Sequence, residues 1–501
     1  MPIRDLVVGV DCSTTASKAL VWSAQGSAVA EGRAALPILT PRAGWHEQSA
    51  DAWWEATCQA LKQATSAVPA QRLAALCITH QRETFVPVDA GGVPLRPGIL
   101  WMDERAAALL PSLEEHWEGD SFHCLTGKAL SANLTIAKIA WLREYEPELF
   151  ARVDKYLDVA AFLIERLTGH CRTGWGSADP GGLFDMTHDA WAETLLDAVG
   201  IRREQLPEAF PPGAIIGQVT ATAASETGLP AGLPVVAGVG DGQSGGLGVN
   251  VTAPGQAYLT LGTSVVTGTF SEQYVVDPAF RTMYGGRKGT YLLEAPLLAG
   301  GYTIQWFMER FGGVISQDDF EREASQLPPG SDGLVLVPYW NSVLGPYWDA
   351  DASGIVVGWR GHHRPVHLYR AILEGIAFEL QLNTLGVEAA IGRPVESLVA
   401  VGGGARSKLW CQIIADVLGK PLVKSSTNEA AALGAGILAA AAVGLYPDVP
   451  KAAAAMTHLQ SDPVAPDESR RERYARLYED VYRHLFPALQ PYLRQLAACV
   501  R

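Results

Sequence analysis

The sequence predicts an α/β protein built from two related domains. Apolar, β-branched runs alternate along the chain with stretches in which apolar residues recur every three or four positions, as strands and helices require. The second half of the chain also restarts the order of elements with which the first half begins. Because 501 residues exceed the usual size of one compact domain, we expect two large domains, 1–249 and 250–501, with the boundary near Asn250.

The first half is expected to begin with strand, turn and strand, and then to alternate helices with strands. Its expected elements, in chain order, are the strand Leu6–Val10, the polar turn Asp11–Lys18, the strand Ala19–Trp22, the helix Asp51–Ala67, the strand Leu73–Thr79, a long helical stretch from Leu134 to Leu167 with a turn at Glu146-Pro147, and the buried strand Val235–Gly238. Ser49, just before the first helix, is a typical N-cap residue.

The second half is expected to repeat this order. Its elements are the strand, Gly/Thr/Ser turn and strand of Ala257–Gly268, the strand Leu334–Pro338, the helix Val366–Glu388, the strand Leu398–Val401 and the helix Ser407–Leu418. The run Ala430–Tyr446 is about as long as the shortest membrane-spanning helices. It is rich in Ala and Gly, which indicates instead a helix packed closely between other elements of a core.

Composition and charge favour a cytoplasmic protein that binds small molecules. A formal net charge of −14 without any basic run argues against a nucleic-acid surface. The chain begins Met-Pro-Ile-Arg-Asp-Leu, without the basic leader and apolar segment of a signal peptide. We therefore expect neither nucleic acid nor membrane as a partner, and a homodimer is the default oligomer.

Cysteines and histidines indicate no metal centre. The seven cysteines lie far apart, without a C-x-x-C motif or zinc spacing, and are typical of reduced thiols. His362, His363 and His367 have a helical spacing that could bind a metal, but no carboxylate or fourth ligand is close in the sequence.

Three turns rich in Gly, Ser and Thr could supply converging backbone N–H donors to phosphate groups. They are Asp11-Cys12-Ser13-Thr14-Thr15, Gly262-Thr263-Ser264 and Gly402-Gly403-Gly404. In the first, Asp11 could hold Mg²⁺ through water while Thr14, Thr15 and Lys18 face a phosphate. The alternative is an ordinary hairpin turn, because Asp, Ser and Thr are common turn residues.

Asp241 is the candidate catalytic base. It follows a buried strand and is flanked by glycines, a setting in which a carboxylate can accept a hydroxyl proton. The alternative role is that of a helix N-cap. The same stretch contains Gly240-x-Gly242-x-x-Gly245, the dinucleotide-binding spacing, which makes an oxidoreductase the rival enzyme class. That class requires an acidic residue about twenty positions further on, and Leu261–Thr267 offers none.

The segment His80-Gln81-Arg82-Glu83-Thr84 could bind a polyol. An Arg and a Glu side by side can hydrogen-bond several hydroxyl groups, and Trp101 could cover the C–H face of such a ligand. The alternative is a surface ion pair together with a core tryptophan.

Taken together, these motifs resemble the FGGY family of carbohydrate kinases over nearly the whole chain. The matching pieces are Val8-Gly-Val-Asp11-Cys-Ser-Thr-Thr, Gly44-Trp-His-Glu-Gln, Ile78-Thr-His-Gln-Arg-Glu-Thr, Trp101-x-Asp103-x-Arg105, Gly240-Asp241, Leu261-Gly-Thr-Ser, Gly402-Gly-Gly-Ala-Arg-Ser and Glu429-Ala-Ala-Ala-Leu-Gly-Ala. The resemblance implies an actin-like, duplicated ribonuclease-H-type ATPase fold with two domains around a central cleft. It also implies ATP and Mg²⁺ as cofactors and a small sugar or polyol as substrate.

The resemblance assigns roles to individual residues. Asp241 would be the catalytic base, and Mg²⁺ would be held by Asp11 and Asp241. The sugar, bound mainly by domain 1–249, would contact Arg82, Glu83, Trp101, Asn133, Asp241 and Gln243. ATP, bound mainly by domain 250–501, would contact Asp11, Thr14, Thr15, Lys18, Gly262, Thr263, Gly301, Gln305, Gly403, Gly404 and Ser407.

Departures from the family pattern bear on the substrate. Arg82-Glu83 resembles the glycerol kinase pair, where xylulokinases usually have Met-His. The segment after Thr126-Gly127, including Asn133, looks more like that of pentulose kinases and implies a roomier pocket. Trp359 stands where an aliphatic residue is usual, and Ser407 replaces a common Asn beside adenine.

We therefore expect ATP-dependent phosphorylation of a hydroxyl group of a small ketose or polyol. A pentulose such as xylulose is favoured, and a glycerol- or tetritol-type polyol is the alternative. A non-catalytic nucleotide-binding relative of the actin-like fold is the rival from another class. Such a protein would keep the phosphate turns and lose the base, and Asp241 argues against it.

Overall fold

The computed structural model describes residues 4–119 and 121–500. The strands of the first half are β1 (Leu6–Cys12), β2 (Ala16–Ser23), β3 (Ala28–Ala35), β4 (Glu47–Gln48), β5 (Leu73–His80), β6 (Phe85–Val88), β7 (Gly98–Ile99), β8 (Lys155–Asp158), β9 (Arg172–Gly174), β10 (Phe184–Asp185), β11 (Ala190–Trp191), β12 (Glu208–Phe210), β13 (Ile215–Gln218) and β14 (Pro234–Val236). Its helices are α1 (Ala50–Thr65), α2 (Leu110–Glu114), α3 (Ser121–Thr126), α4 (Thr135–Tyr145), α5 (Pro147–Phe150), α6 (Val159–Thr168), α7 (Trp175–Ala178), α8 (Glu193–Val199), α9 (Ala221–Thr227) and α10 (Asp241–Leu247).

The second half continues with fewer strands and longer helices. Its strands are β15 (Gln256–Leu261), β16 (Val265–Ser271), β17 (Arg281–Tyr284), β18 (Tyr291–Leu297), β19 (Val335–Val337), β20 (Ile355–Val357), β21 (Ser397–Val401) and β22 (Leu422–Lys424). Its helices are α11 (Gly301–Phe311), α12 (Gln317–Ala324), α13 (Pro365–Ile391), α14 (Lys408–Leu418), α15 (Ala430–Ala442), α16 (Val449–Met456), α17 (Glu468–Leu477) and α18 (Arg483–Val500), the last two joined by a π-helical turn at Tyr478–Tyr482.

Two six-stranded sheets of related topology form the framework. The first has the order β13-β14-β5-β1-β2-β3, and the second has the order β17-β18-β16-β15-β21-β22. In each sheet the opening strand pairs antiparallel with the next strand and parallel with a later one: β1 with β2 and β5, β15 with β16 and β21. The duplication expected from the sequence is therefore present in the strand order.

The opening hairpin is tighter than expected. β1 extends to Cys12 and β2 begins at Ala16, so Asp11 and Lys18 are paired strand residues and the turn is limited to Ser13–Thr15. Ser49 caps α1 as expected, since its side chain accepts a hydrogen bond from the backbone N–H of Ala52.

The long helical stretch expected over Leu134–Leu167 is wrong. Helices α4 and α5 end by Phe150, and β8 then pairs antiparallel with β6 before α6 begins. A strand of four residues is too short for apolar spacing to separate it from a helix. Asp158 marks the start of α6, because its carboxylate accepts a hydrogen bond from the Ala161 N–H at 2.9 Å.

Helix α15 packs against the first sheet although it follows the second in the chain. A Cβ atom at Gly9 of β1 would lie 2.0 Å from the Ala432 carbonyl oxygen, and one at Gly434 would lie 1.9 Å from the Ser244 carbonyl oxygen. The small residues of α15 thus permit backbone contact with β1 and α10. Within residues 4–119 and 121–500, no helix is both long and apolar enough to cross a membrane.

The apolar core accordingly has several parts. One face of the first sheet packs on α1 and α6, and its other face packs on α15 and α16. The second sheet packs on α13 and α14, with α17 and the π-helical turn behind them. The domain division at residue 250 stays a prediction, while α15 and α16 complete the core of the first sheet.

Candidate active site

A buried acidic centre lies at the end of β1. The Asp11 side chain is 8% exposed, and its Oδ1 atom has no hydrogen-bond partner among the described residues. Burial, followed by the nearby carboxylates of Asp241 and Glu429, raises the pKa of Asp11 to about 7, while Lys18 opposes the shift. Lys18 itself donates to both carboxylate oxygens of Glu429, at 2.6 and 2.8 Å. The sequence showed Glu429 in a matching motif but gave no reason to place it beside Lys18.

Asp241 is the first residue of α10, so the N-cap alternative is wrong. The N-cap position belongs to Gly240, and the Asp241 Oδ1 atom accepts from the backbone N–H of Gly242 at 2.8 Å. The same oxygen lies 3.0 Å from Nε of Arg82. The Asp241 side chain remains 39% exposed, which leaves its carboxylate accessible to a ligand.

Packing explains the glycine spacing that suggested a dinucleotide site. A Cβ atom at Gly240 would lie 2.4 Å from the Arg82 side chain, and one at Gly242 would lie 2.5 Å from Oε1 of Glu294. Gly245, the third glycine, faces open space. Two of the three glycines therefore make room for Arg82 and its partner.

Five alternating charges, here called the arginine–carboxylate chain, run from Asp241 through Arg82, Glu294 and Arg281 to Glu83. Arg82 donates to Glu294 at 2.8 and 3.0 Å, and Arg281 donates to Glu294 at 2.7 Å and to Glu83 at 2.8 Å. Burial opposes ionisation of Glu294, but the two guanidinium groups outweigh it and lower its pKa to about 2. Glu83 and Arg82 are thus not a surface ion pair.

Sequence reasoning missed Arg281 and Glu294. The sequence offers one indication of this pair, because Glu294 is a single charge within the otherwise apolar strand β18, Tyr-Leu-Leu-Glu-Ala-Pro-Leu. A buried carboxylate in such a strand requires partners, but nothing in the sequence shows that Arg82 is one of them.

Lys138 supports the backbone of the sugar-binding candidates. Glu83 has a φ of 56°, in the left-handed region that non-glycine residues seldom adopt. Its carbonyl oxygen accepts from Lys138 Nζ at 3.1 Å and from Thr135 Oγ1 at 3.2 Å, and Lys138 also donates to the Asn133 carbonyl oxygen at 2.7 Å. Burial lowers the pKa of Lys138 to about 7.

Trp101 connects the polyol candidates to the first phosphate turn. Its indole Nε1 donates to Thr14 Oγ1 at 3.0 Å, and its carbonyl oxygen accepts from Asn133 Nδ2 at 2.8 Å. At 37% exposure Trp101 is not a core residue. Gln243, by contrast, is buried and donates to the Gly176 carbonyl oxygen at 3.0 Å. The amide N–H groups of Asn133 and Gln243 thus already have partners within the protein.

The nucleotide candidates of the second half meet beside β15. Gly301 N–H donates to the Gly262 carbonyl oxygen at 2.9 Å, and Tyr302 N–H donates to that of Thr263 at 3.0 Å. Gly402 has a φ of 93°, and a Cβ atom there would lie 2.7 Å from the Leu261 carbonyl oxygen. The turn at 262–264, the start of α11 and the 402–404 turn are therefore adjacent.

The remaining nucleotide candidates lie around this group. Gly403 and Gly404 follow Gly402 in a short 3₁₀ helix. Ser407 is the N-cap of α14, where its hydroxyl accepts from the Trp410 N–H at 3.0 Å. Gln305 is exposed on α11 and donates to Glu309. Thr15 is exposed in the opening turn, next to Thr14.

His362, His363 and His367 lie close together, and His367 has partners within the protein. His367 accepts from the Arg364 N–H through Nδ1, and its Nε2 lies 3.3 Å from a carboxylate oxygen of Asp332. In the described part of the chain, no group of three or more His, Cys, Asp or Glu side chains could hold a metal ion.

Comparison with known proteins identifies the family. The model of the N-terminal domain of the FGGY family of carbohydrate kinases matches residues 6–248, and that of the C-terminal domain matches residues 257–443. The xylulose kinase of Escherichia coli (strain K12) is 30% identical over 95% of this chain and 99% of its own length. The glycerol kinase of Alkalilimnicola ehrlichii is 32% identical over 90% of this chain and 93% of its own length.

Solved structures of carbohydrate kinases have the same fold as this chain. A xylulose kinase from Rhodospirillum rubrum superposes with a TM-score of 0.92 at 28% identity, covering 98% of this chain and all of the other. A gluconate kinase from Lactobacillus acidophilus superposes with a TM-score of 0.91 at 26% identity, covering 97% and 98% of the two chains. The actin-like two-domain fold is thereby confirmed, and the oxidoreductase and non-catalytic alternatives are wrong. The chain belongs to the FGGY family of carbohydrate kinases and is a phosphotransferase.

Proposed function

We propose that the protein transfers the γ-phosphoryl group of ATP to a hydroxyl group of a small, neutral ketose or polyol in the cytoplasm. The observation that carries this proposal is the Asp241 carboxylate, which is accessible at the start of α10, pairs with Arg82 and is close enough to Asp11 to raise the pKa of that residue. In this position Asp241 accepts the proton of the attacking hydroxyl group. Phosphoryl transfer otherwise depends on positioning and on neutralising phosphate charge.

The residues at the end of β1 fit a magnesium ion. The buried Oδ1 atom of Asp11 has no hydrogen-bond partner among the described residues, and the Asp241 carboxylate is close enough to raise the pKa of Asp11. A divalent cation would satisfy both carboxylates. Magnesium is commonly held by one or two carboxylates, with water and phosphate oxygens completing its coordination. When bound, it supplies positive charge next to the phosphate groups. Asp11 and Asp241 would hold it.

The nucleotide is assigned to the two sets of turns. Thr14, Thr15 and Lys18 of the opening hairpin would lie beside the phosphates, and the Lys18–Glu429 pair orients the ammonium group. The glycine turns at 262–264 and 402–404, together with the start of α11, would accommodate the rest of ATP. This assignment gives Gly262, Thr263, Gly301, Gln305, Gly403, Gly404 and Ser407 their expected nucleotide contacts.

The charge balance favours a neutral substrate. Arg82 is shared by Asp241 and Glu294, and Arg281 is shared by Glu294 and Glu83. Two cations are therefore matched by three carboxylates. A hydroxyl-rich ligand can hydrogen-bond to such a site, whereas a sugar carboxylate would meet arginines whose charge is already matched by carboxylates.

Within the neutral class, xylulose or a similar pentulose is favoured and a glycerol- or tetritol-type polyol is the alternative. Xylulose kinases are among the relatives and structural neighbours described above, which supports the first. The pair Arg82-Glu83 and the similarity to a glycerol kinase support the second. Sugar contacts are assigned to Arg82, Glu83, Trp101, Asn133 and Gln243.

The test measures ATP consumption with xylulose, ribulose, glycerol, erythritol and xylitol. We expect turnover with at least one of them, and a loss of about 10²- to 10⁴-fold in Asp241→Asn, the usual contribution of a general base. Asp318→Asn, an exposed aspartate in the first turn of α12, is the matched control and should keep full activity. Turnover with none of these compounds, or an Asp241→Asn variant as active as wild type, would contradict the proposal.

A further inference from the structure

The arginine–carboxylate chain joins the two halves of the molecule at the proposed sugar site. Arg82, Glu83 and Asp241 come from the first half, whereas Arg281 lies in β17 and Glu294 in β18. Glu294 is the middle member and contacts both guanidinium groups. The second half therefore supplies the carboxylate that determines how much positive charge the two arginines present.

Glu294 is built rigidly into this position. It is 1% exposed, its Oε1 atom accepts from the Tyr258 hydroxyl at 2.8 Å, and it lies directly against Gly242. Solvent cannot replace it as a partner of the arginines. Arg82 and Arg281 favour its ionised form and lower its pKa to about 2.

Arg82 keeps hydrogen-bond donors although its charge is compensated. Its Nε atom is paired with Asp241 and its Nη1 atom with Glu294, while Nη2 donates to no residue in ranges 4–119 and 121–500. A guanidinium group in this state can donate to a hydroxyl oxygen through Nη2. It offers a carboxylate little net attraction, because two carboxylates already share its charge.

We propose that Glu294 is a specificity-determining residue that excludes sugar acids from the site and leaves Arg82 able to recognise a hydroxyl group. The proposal rests on the proposed function, since it concerns the choice between neutral sugars and aldonates. The comparison with a gluconate kinase of the same fold makes this choice concrete. Glu294 acts through Arg82 and Arg281 and does not itself contact the substrate.

The decisive variant is Glu294→Gln, which keeps the shape of the side chain and removes its charge. We expect kcat/KM for gluconate to rise at least tenfold over wild type, because Arg82 then keeps one ion-pair partner among the described residues, Asp241. The matched control is Tyr258→Phe, which removes a hydrogen bond from the same carboxylate but keeps its charge. In that variant, kcat/KM for gluconate should stay within twofold of wild type.

A second variant covers the case in which Glu294→Gln does not fold. Glu83→Gln removes the charge at the other end of the arginine–carboxylate chain, where Arg281 is the ion-pair partner of the carboxylate among the described residues. It should likewise raise kcat/KM for gluconate, even though Glu83 is assigned to the neutral sugar. Thermal unfolding with and without ATP establishes that each variant is folded.

The outcomes separate the inference from the proposed function. If kcat/KM for gluconate does not rise in folded Glu294→Gln, the proposed role of Glu294 is wrong, whatever the wild type does with neutral sugars. If Glu294→Gln does not fold, the same result in folded Glu83→Gln leads to the same conclusion. A wild-type kcat/KM for gluconate equal to that for the best neutral substrate would also overturn the proposed role of Glu294. A wild type without turnover of any neutral sugar would contradict the proposed function, while a gain for gluconate in Glu294→Gln would still support the inference.

Discussion

Two glycines at the start of α10 determine where the Arg82 side chain can lie. Gly240 borders the methylene groups of Arg82, and Gly242 borders its guanidinium group and Glu294. Neither glycine has a positive φ, so the requirement at both positions is space and not backbone conformation. The glycines, Arg82 and Glu294 thus form one packed unit next to Asp241.

Replacing Gly242 by alanine should therefore reduce catalysis. The new Cβ atom would meet Glu294 Oε1 at 2.5 Å and Arg82 Nη2 at 3.0 Å, which forces the ion pair apart. We expect at least a tenfold loss of kcat/KM for the best neutral substrate. Gly245→Ala, in the same helix but facing open space, should keep its activity and gain up to about 1 kcal/mol of stability. Equal kinetics for the two variants would refute this account.

The sequence showed which residues are candidates for catalysis and binding, but not which side chains they contact in the folded protein. Asp241 and Arg82-Glu83 were recognisable because of their types and neighbours. Their partners were not, because the Arg82–Glu294 contact spans 212 positions and the Lys18–Glu429 contact spans 411. Only the folded chain brings such residues together.

Among the elements, the C-terminal helical segment is attached through a buried carboxylate. Glu379 of α13 is 1% exposed and accepts from the hydroxyl groups of Tyr482 at 2.6 Å and Tyr339 at 2.8 Å. Burial raises its pKa to about 7 from an ordinary value of 4.5, and the two hydroxyl groups only partly oppose this. Between pH 4.5 and 7, the Glu379 carboxyl group is therefore protonated in the folded protein and ionised in the unfolded chain.

Stability should depend on pH through this group. Its contribution is fully present below about pH 4.5 and is lost as pH rises towards 7, by at most about 1.4 kcal/mol per pH unit. The glutamine in Glu379→Gln does not titrate. The free energy of unfolding of this variant should therefore fall less steeply between pH 4.5 and 7 than that of the wild type. Denaturant titrations at several pH values measure the difference, with the exposed Glu472→Gln as control. Parallel curves for wild type and Glu379→Gln would contradict the assignment.

Element prediction succeeded where apolar runs were long and failed where they were short. The β1 and β5 strands and the α13 helix appear close to their expected bounds. The four-residue strand β8 was predicted as part of a helix, since its Tyr156 and Leu157 fit the apolar spacing of a helix as well as that of a strand. Boundaries at caps were predictable at Ser49, where a hydroxyl side chain precedes a helical pattern.

For the molecule as a whole, the repeated strand order was predictable and the crossing of α15 was not. Similar strand, turn and strand patterns at 6–22 and 257–268 indicated the duplication, which the two sheets confirm. The Ala- and Gly-rich composition of α15 indicated close packing, but not its partner. Only the structure shows that this helix covers Val7, Leu20 and Trp22 of the first sheet.

A fragment of residues 1–249 should consequently not fold alone. Without α15 and α16, the apolar face that includes Val7, Leu20 and Trp22 would be exposed to water. We expect the fragment to aggregate or to lack a cooperative unfolding transition. Joining residues 429–456 to it through a flexible linker should restore solubility and cooperativity. A stable, cooperatively unfolding 1–249 fragment would show that the first sheet does not need these helices.

The position of α15 late in the chain has a consequence for biosynthesis. When the ribosome has completed the first sheet, the helices that cover it are still about 200 residues away, which corresponds to roughly 10 to 40 seconds of translation at 5–20 residues per second. During that interval the nascent chain displays an apolar strand surface that is covered only once residues 430–456 have been made. A premature stop codon between residues 237 and 429 would therefore leave this surface uncovered, although every strand of the first sheet would be present.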